Sequence, residues 1–89
     1  MSELEGKIAI VTGAGTGIGK GISRALASAG AQLVLASRNK DNLQKTADEL
    51  KKYNSEVKVI PTDITKEEAV IALFKQTMDS FGRLDILIN

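Results

Sequence analysis

Cysteine and histidine are both absent from the 89 residues. Without cysteine there is no disulfide, no thiolate nucleophile and no thiolate-bound metal. Without histidine the commonest metal ligand and the commonest general base are missing as well. Tryptophan is absent, proline occurs once, and the aromatics are Tyr53, Phe74 and Phe81 alone. Neither charge sign dominates: 12 basic and 11 acidic residues leave a net charge of +1, a field that favours neither nucleic acid nor a membrane surface. Apolar runs last only a few residues, far short of the ~20 needed to span a bilayer. The opening MSELEGKI has no basic segment leading into an apolar stretch, so it is not a secretory signal. The simplest address is the cytosol.

What is present is the composition of one small globular domain, 43% hydrophobic and 26% charged. A chain of this length buries only roughly 60–65% of the surface its unfolded form exposes, which leaves a thin margin of stability.

Short apolar, β-branched-rich runs alternate with helix-like segments. KIAIVT (7–12), QLVLAS (32–37), VKVIP (57–61) and LDILIN (84–89) are expected strands. Three of them lack a polar/apolar alternation, as strands covered on both faces do. Between the first two, Ile18, Ile22, Ala25, Leu26 and Ala29 form a one-sided helical stripe that stops at Gly30. Leu43, Ala47 and Leu50 mark a second helix with a polar outer face. The third opens at TKEE, where Thr65 and Glu68 fit a capping box, and stops at Gly82. The order β-α-β-α-β-α-β predicts a parallel α/β sheet with right-handed crossovers and no internal domain boundary. LDILIN is expected inside a sheet, so a chain ending at Asn89 reads as part of a larger protein.

The densest signal is TGAGTGIGKG (12–21), five glycines in ten residues between the first strand and the first helix. Gly13 permits a sharp turn, Gly17 lets a ligand approach the backbone, and Gly19 lets the helix pack close to the sheet. Unpaired N–H groups and the positive end of the helix dipole then suit a pyrophosphate. A plain tight turn needs only one or two glycines. A P-loop requires glycine five residues before its GK and Ser or Thr after it; those positions here are Ala14 and Gly21. The strict GxGxxG spacing fails too, leaving TGxxxGxG.

With that spacing, TGAGTGIG resembles the cofactor loop of the short-chain dehydrogenases/reductases. ASRN (36–39) resembles the end of that family's second strand, TDIT (62–65) its adenine contact, and LDILIN the start of its LxNNAG strand. The resemblance runs the length of the chain. It implies a Rossmann-type doubly wound parallel sheet, of which residues 1–89 would be the N-terminal part of one dinucleotide-binding domain, truncated after the fourth strand. It also implies hydride transfer between a nicotinamide cofactor and a small carbonyl or alcohol, and assembly into tetramers or dimers. Likeness to bacterial 3-oxoacyl-(acyl-carrier-protein) reductases suggests a 3-oxoacyl thioester.

The cofactor-loop residues would be Gly13, Ala14, Gly15, Thr16, Gly17, Ile18 and Gly19. In a dinucleotide fold an acid ending the second strand bonds the ribose 2′-hydroxyl, whereas an arginine accommodates a 2′-phosphate. Ser37-Arg38-Asn39 ends that strand with no acid before Asp41, so NADP(H) is expected over NAD(H). The alternative is that Arg38 is a solvated surface residue. By the resemblance, Asp63 would accept from the adenine amino group beside the backbone of Ile64, although Asp before a helix is also an ordinary cap. Asn89 would match the first Asn of NNAG, and Asp85 a structural position.

The family's Ser and Tyr-x-x-x-Lys lie beyond the fourth strand. The one tyrosine, Tyr53, has Val57 four residues on and is not the catalytic one. No catalytic residue is therefore expected within this chain, only the adenine-and-phosphate half of a site. A non-catalytic, redox-sensing dinucleotide module is the alternative, and a downstream Tyr-x-x-x-Lys would decide for the enzyme.

Overall fold

Apolar runs without alternation become strands with both faces covered. The computed structural model describes residues 3–15 and 17–89, so the expectation for Thr16 lies outside the described residues. Its elements are β1 (Ile8–Thr12), α1 (Gly17–Ser28), β2 (Gln32–Ser37), α2 (Lys40–Leu50), a 3₁₀ turn (Lys51–Tyr53), β3 (Val57–Pro61), α3 (Glu67–Phe81) and β4 (Ile86–Ile88). The strands are all parallel, in the order β3-β2-β1-β4. This is the doubly wound α/β arrangement.

Alternate residues of the inner strands feed two separate cores. Ala9, Val11, Leu33 and Leu35 pack with Ala27, Leu43, Ala47 and Leu50 of α1 and α2. Ile10, Val34, Ala36 and Ile60 pack on the other face with Leu73, against which Phe74, Phe81 and Leu84 lie. Both halves of each pleat are thus apolar, which removes the alternation. Burying each of the larger side chains contributes about 1.5–3 kcal/mol.

Gly30 (φ 99°) and Gly82 (φ 76°) end α1 and α3 as expected, and the Gly82 N–H donates to Met78 O at 2.8 Å. One expectation fails and another holds only in part. The Thr65/Glu68 capping box does not form: α3 is preceded by Lys66 in extended conformation with no side-chain cap. The Thr65 hydroxyl instead donates to Asp63 Oδ1 at 2.6 Å and its N–H to the same oxygen at 3.0 Å. With Lys66 at the cap, the helix starts one residue later than the box requires, which takes Thr65 and Glu68 out of its two positions. The Asp63 carboxylate takes the Thr65 N–H that the Glu68 side chain would have bonded.

The apolar stripe of α1 holds only in part: Leu26 packs against the core and Ile22 is half-buried, but the most buried positions lie elsewhere. Ile18 is 82% exposed, while Ser23 and Ala27 are buried. The packed seam is Gly19-Ser23-Ala27, because α1 lies too close to the sheet for large side chains.

β4 is shorter than the expected 84–89 and pairs with β1 alone, so here it forms an edge. Asp85, just before it, extends the pairing through its side chain. Its N–H donates to Ile8 O (2.9 Å), and its Oδ2 accepts from the Ile8 N–H (2.9 Å) and Arg83 Nε (2.9 Å). The Arg83 guanidinium, and next the Ile8 N–H, hold this carboxyl below the ordinary carboxylate range.

A lowered native pKa stabilises the fold above the unfolded value of about 4, and the contribution is lost as pH falls through the native value. Asp85→Asn is therefore expected to lower Tm by several degrees at pH 7. Its gap to the wild type should shrink as melts are repeated towards pH 3. A gap that stays constant with pH would remove the charge from the account.

Candidate functional site

The register sets the ends of the strands level. Thr12 pairs with Ala36, Ser37 with Pro61, and Val11 with Ile88, so the following residues emerge along one edge. Two main-chain bonds carry the ladder one step further: Gly13 N–H to Ala36 O (2.9 Å) and Thr62 N–H to Ser37 O (2.7 Å). The chain steps from β1 to β2 and β3 on one side, then crosses to β4 on the other. Such a reversal opens a crevice at the carboxyl ends of the strands, where open α/β sheets bind ligands.

The glycine loop begins this edge. Gly13 (φ 67°) turns the chain out of β1, and a Cβ there would meet nothing within 4 Å. Gly17 (φ 54°) opens α1, again with nothing within 4 Å of its Cβ position. Gly19 is the opposite case. A Cβ there would run into the carbonyl of Gly13 and reach Ala14 Cα at 3.2 Å. At Gly15 it would meet Asn42 Cβ at 2.8 Å. Ala14 is fully buried, whereas Ile18 stands exposed at the start of α1.

Three hollows run side by side along the edge. One of about 270 Å³ lies between Gly13, Gly15, Arg38 and Asn42. The next, about 320 Å³, is lined by Gly13, Ser37, Arg38, Asp63 and Ile64. The third, about 270 Å³ and mostly apolar, holds Thr12, Ile64, Phe74, Leu87 and Asn89. A fourth and larger hollow, about 510 Å³, lies at the opposite edge beside Glu5, Gln32 and Tyr53. Position at the strand ends outweighs size, because only that edge gathers the glycine loop and Arg38. Tyr53 is far from them, in the turn after α2.

Ser37 Oγ accepts from the Asn39 N–H at 3.3 Å, which leaves its hydroxyl proton free to turn towards an anion. The Asn39 carboxamide caps α2, its Oδ1 accepting from the Asn42 N–H at 3.0 Å. Asp63 is held below the ordinary carboxylate range by the Thr65 hydroxyl first, then the Thr65 N–H, with the Arg38 charge contributing less. Both Thr65 bonds fall on Oδ1, so capping the turn and accepting from a ligand through Oδ2 are compatible roles. Asn89 lies at the end of β4, where the Thr12 hydroxyl donates to Ile88 O at 3.1 Å.

The structure thus gathers Gly13, Gly15, Ser37, Arg38, Asp63, Ile64 and Asn89 along one line of hollows. It adds Asn39, Asn42 and Thr65, which the sequence reading did not count among the cofactor-binding residues. An Asn just ahead of an amphipathic segment was an available cap signal for Asn39. Nothing in the sequence pairs Asn42 with Gly15.

Sheet order and crossovers define a Rossmann-like α/β unit. Residues 7–89 match the model of the short chain dehydrogenase family, and the chain belongs to that family. It is 53% identical over 89 residues to an uncharacterized oxidoreductase of Staphylococcus aureus (strain MRSA252), which covers 100% of this chain and 38% of the relative. Among solved structures it resembles a metagenomic short-chain oxidoreductase in complex with NADP (TM-score 0.93, 35% identity, 97% of this chain and 39% of that one). It equally resembles a 7α-hydroxysteroid dehydrogenase complexed with NADH (TM-score 0.93, 39% identity, 98% and 34%). The chain therefore spans well under half the length of these proteins, and the family it belongs to binds nicotinamide dinucleotides.

The glycines separate by role. Gly19→Ala is expected to destabilise by about 1–3 kcal/mol, since the Gly13 backbone must move. Gly21→Ala, in open space on α1, should instead stabilise by about 0.5–1 kcal/mol. Chemical denaturation of the two variants checks the contrast. Equal effects would contradict the close approach at Gly19.

Proposed function

We propose that this chain is the NADP(H)-binding portion of an oxidoreductase that moves a hydride between the cofactor and a carbonyl or alcohol. The single observation that carries the cofactor choice is Arg38. It ends β2 beside the glycine loop, lines the hollows shared with Gly13 and Gly15, and has no carboxylate neighbour on β2. A guanidinium forms charge-assisted bonds with a 2′-phosphate, and the Ser37 hydroxyl adds a donor.

The residues present fit the group. The cradle at Gly13 and Gly17 is open where a side chain would stand, and backbone N–H groups at the start of α1 favour an anion. In this reading Gly13 to Gly19, Thr16 among them, hold the pyrophosphate. Ser37 and Arg38 hold the 2′-phosphate. Asp63 accepts from the adenine amino group beside the Ile64 backbone, and Asn89 borders the nicotinamide side. When bound, the cofactor supplies or takes up the hydride.

The chain's own part is to bind and orient. The proton-transfer Ser and Tyr-x-x-x-Lys belong to the remainder of a longer protein, of which residues 1–89 form the N-terminal dinucleotide-binding part. The family resemblance supports a 3-oxoacyl thioester as substrate, a homo-oligomer as the working form and the cytosol as its place.

Arg38→Asp is expected to weaken NADP+ binding about tenfold to a hundredfold, the loss of hydrogen bonds to a charged group, while NAD+ binding holds or improves. Titration of both nucleotides reads the ratio, and an unchanged ratio would refute the role of Arg38. Gly17→Val is expected to abolish binding of either nucleotide and keep the sheet, as followed by circular dichroism. Its left-handed backbone costs a β-branched residue about 1–2 kcal/mol. Retained affinity would count against the cradle.

A further inference from the structure

The hydroxyls of Ser23 and Thr77 turn back onto their own helices, to Gly19 O and Leu73 O at 2.8 Å each. That is the usual outlet for a hydroxyl in a helix interior. Thr46 behaves differently. It is 1% exposed in the middle of α2, and its hydroxyl leaves the helix to donate to the carbonyl of Ala14, 3.1 Å away and 32 residues earlier. Ala14 is itself fully buried, and one turn back along α2 Asn42 packs against Gly15. A helix thus grips the glycine loop through a bond that packing alone does not need.

We propose that Thr46 is a positioning residue for the anion-binding loop. A peptide unit is planar and trans, so its C=O and N–H point in opposite directions. Holding the Ala14 carbonyl against Thr46 turns the Gly15 N–H away from it and fixes the plane from which the cradle is built. The same helix starts just after Asn39, beside Arg38, so one rigid element sets the loop and the arginine at a constant separation. Without the hydroxyl the buried carbonyl is unsatisfied, and the Ala14–Gly15 peptide gains a reason to rotate.

The inference rests on reading the loop as a dinucleotide cradle, and the experiment separates the two. Thr46→Val keeps the shape and removes the donor, whereas Thr46→Ser keeps the donor. The probes are NADP+ and adenosine 2′-monophosphate, whose phosphate reaches Arg38 and which carries no 5′-phosphate for the cradle. In the intact protein, Thr46→Val should speed amide exchange at Gly15 and weaken NADP+ binding about five- to tenfold, the loss of one hydrogen bond. Affinity for the 2′-monophosphate should stay within about twofold, and Thr46→Ser should restore both readouts.

Wild-type exchange and affinity in Thr46→Val would overturn the proposal. So would equal weakening of both probes, which signals general loosening. If the wild type binds neither probe, the cradle reading fails and the Gly15 amide alone decides for or against Thr46. Should Thr46→Val not fold, Thr46→Ala, which suits a helix better, carries the same comparison.

Discussion

The approach of α1 to the end of β1 governs the rest of the molecule. At Gly19 the helix backbone comes so near the Gly13 carbonyl that no Cβ fits between them. That contact forces the seam of α1 to be small, which is why Ser23 and Ala27 are buried and Ile18 is not. It also places the first turn of the helix, with its unpaired N–H groups, directly over the strand ends. A binding edge made of backbone follows from a packing constraint, and the glycines satisfy both at once.

The sheet then decides what else reaches that edge. Parallel pairing sends Gly13, Arg38, Thr62 and Asn89 out on the same side, and the reversal between β1 and β4 opens the crevice between them. No long-range charge network is needed to gather the site. Each residue is where it is because it follows a strand by one or two positions. The opposite edge carries a larger hollow, yet no lysine or arginine lines it among the described residues.

The strands and the glycine loop were legible because their signals are local: continuous apolar runs mean two covered faces, and glycine at fixed intervals means a backbone that must be approached. The misreadings share a cause. Helix periodicity assumes that the buried stripe is the most apolar one, but at α1 distance outranks hydrophobicity and selects Gly, Ser and Ala. The capping box at Thr65 assumed a helix that starts one residue earlier, whereas the cap falls on Lys66 and the Thr65 N–H bonds the Asp63 carboxylate. Asn42 against Gly15 and Thr46 against Ala14 are contacts across tens of residues. Nothing in a single sequence marks those pairs, because neither partner is unusual where it stands.

Cofactor choice and cofactor holding sit on different parts of this scaffold. The cradle depends on α1 and β1, whose geometry leaves little freedom at Gly13 and Gly19. In the proposed function, preference rests on the side chains that follow β2. Arg38 there is exposed, and its side chain makes no hydrogen bond or ion pair among the described residues. Asn39 alone at that corner is tied to the fold, as the cap of α2. On that reading a substitution at Arg38 alters which nucleotide is favoured without disturbing the glycine loop. That division is compatible with solved relatives of similar fold, one in complex with NADP and another with NADH. It also locates the constraint: α2 must keep its cap and its hold on the loop while the residue beside that cap is free to change.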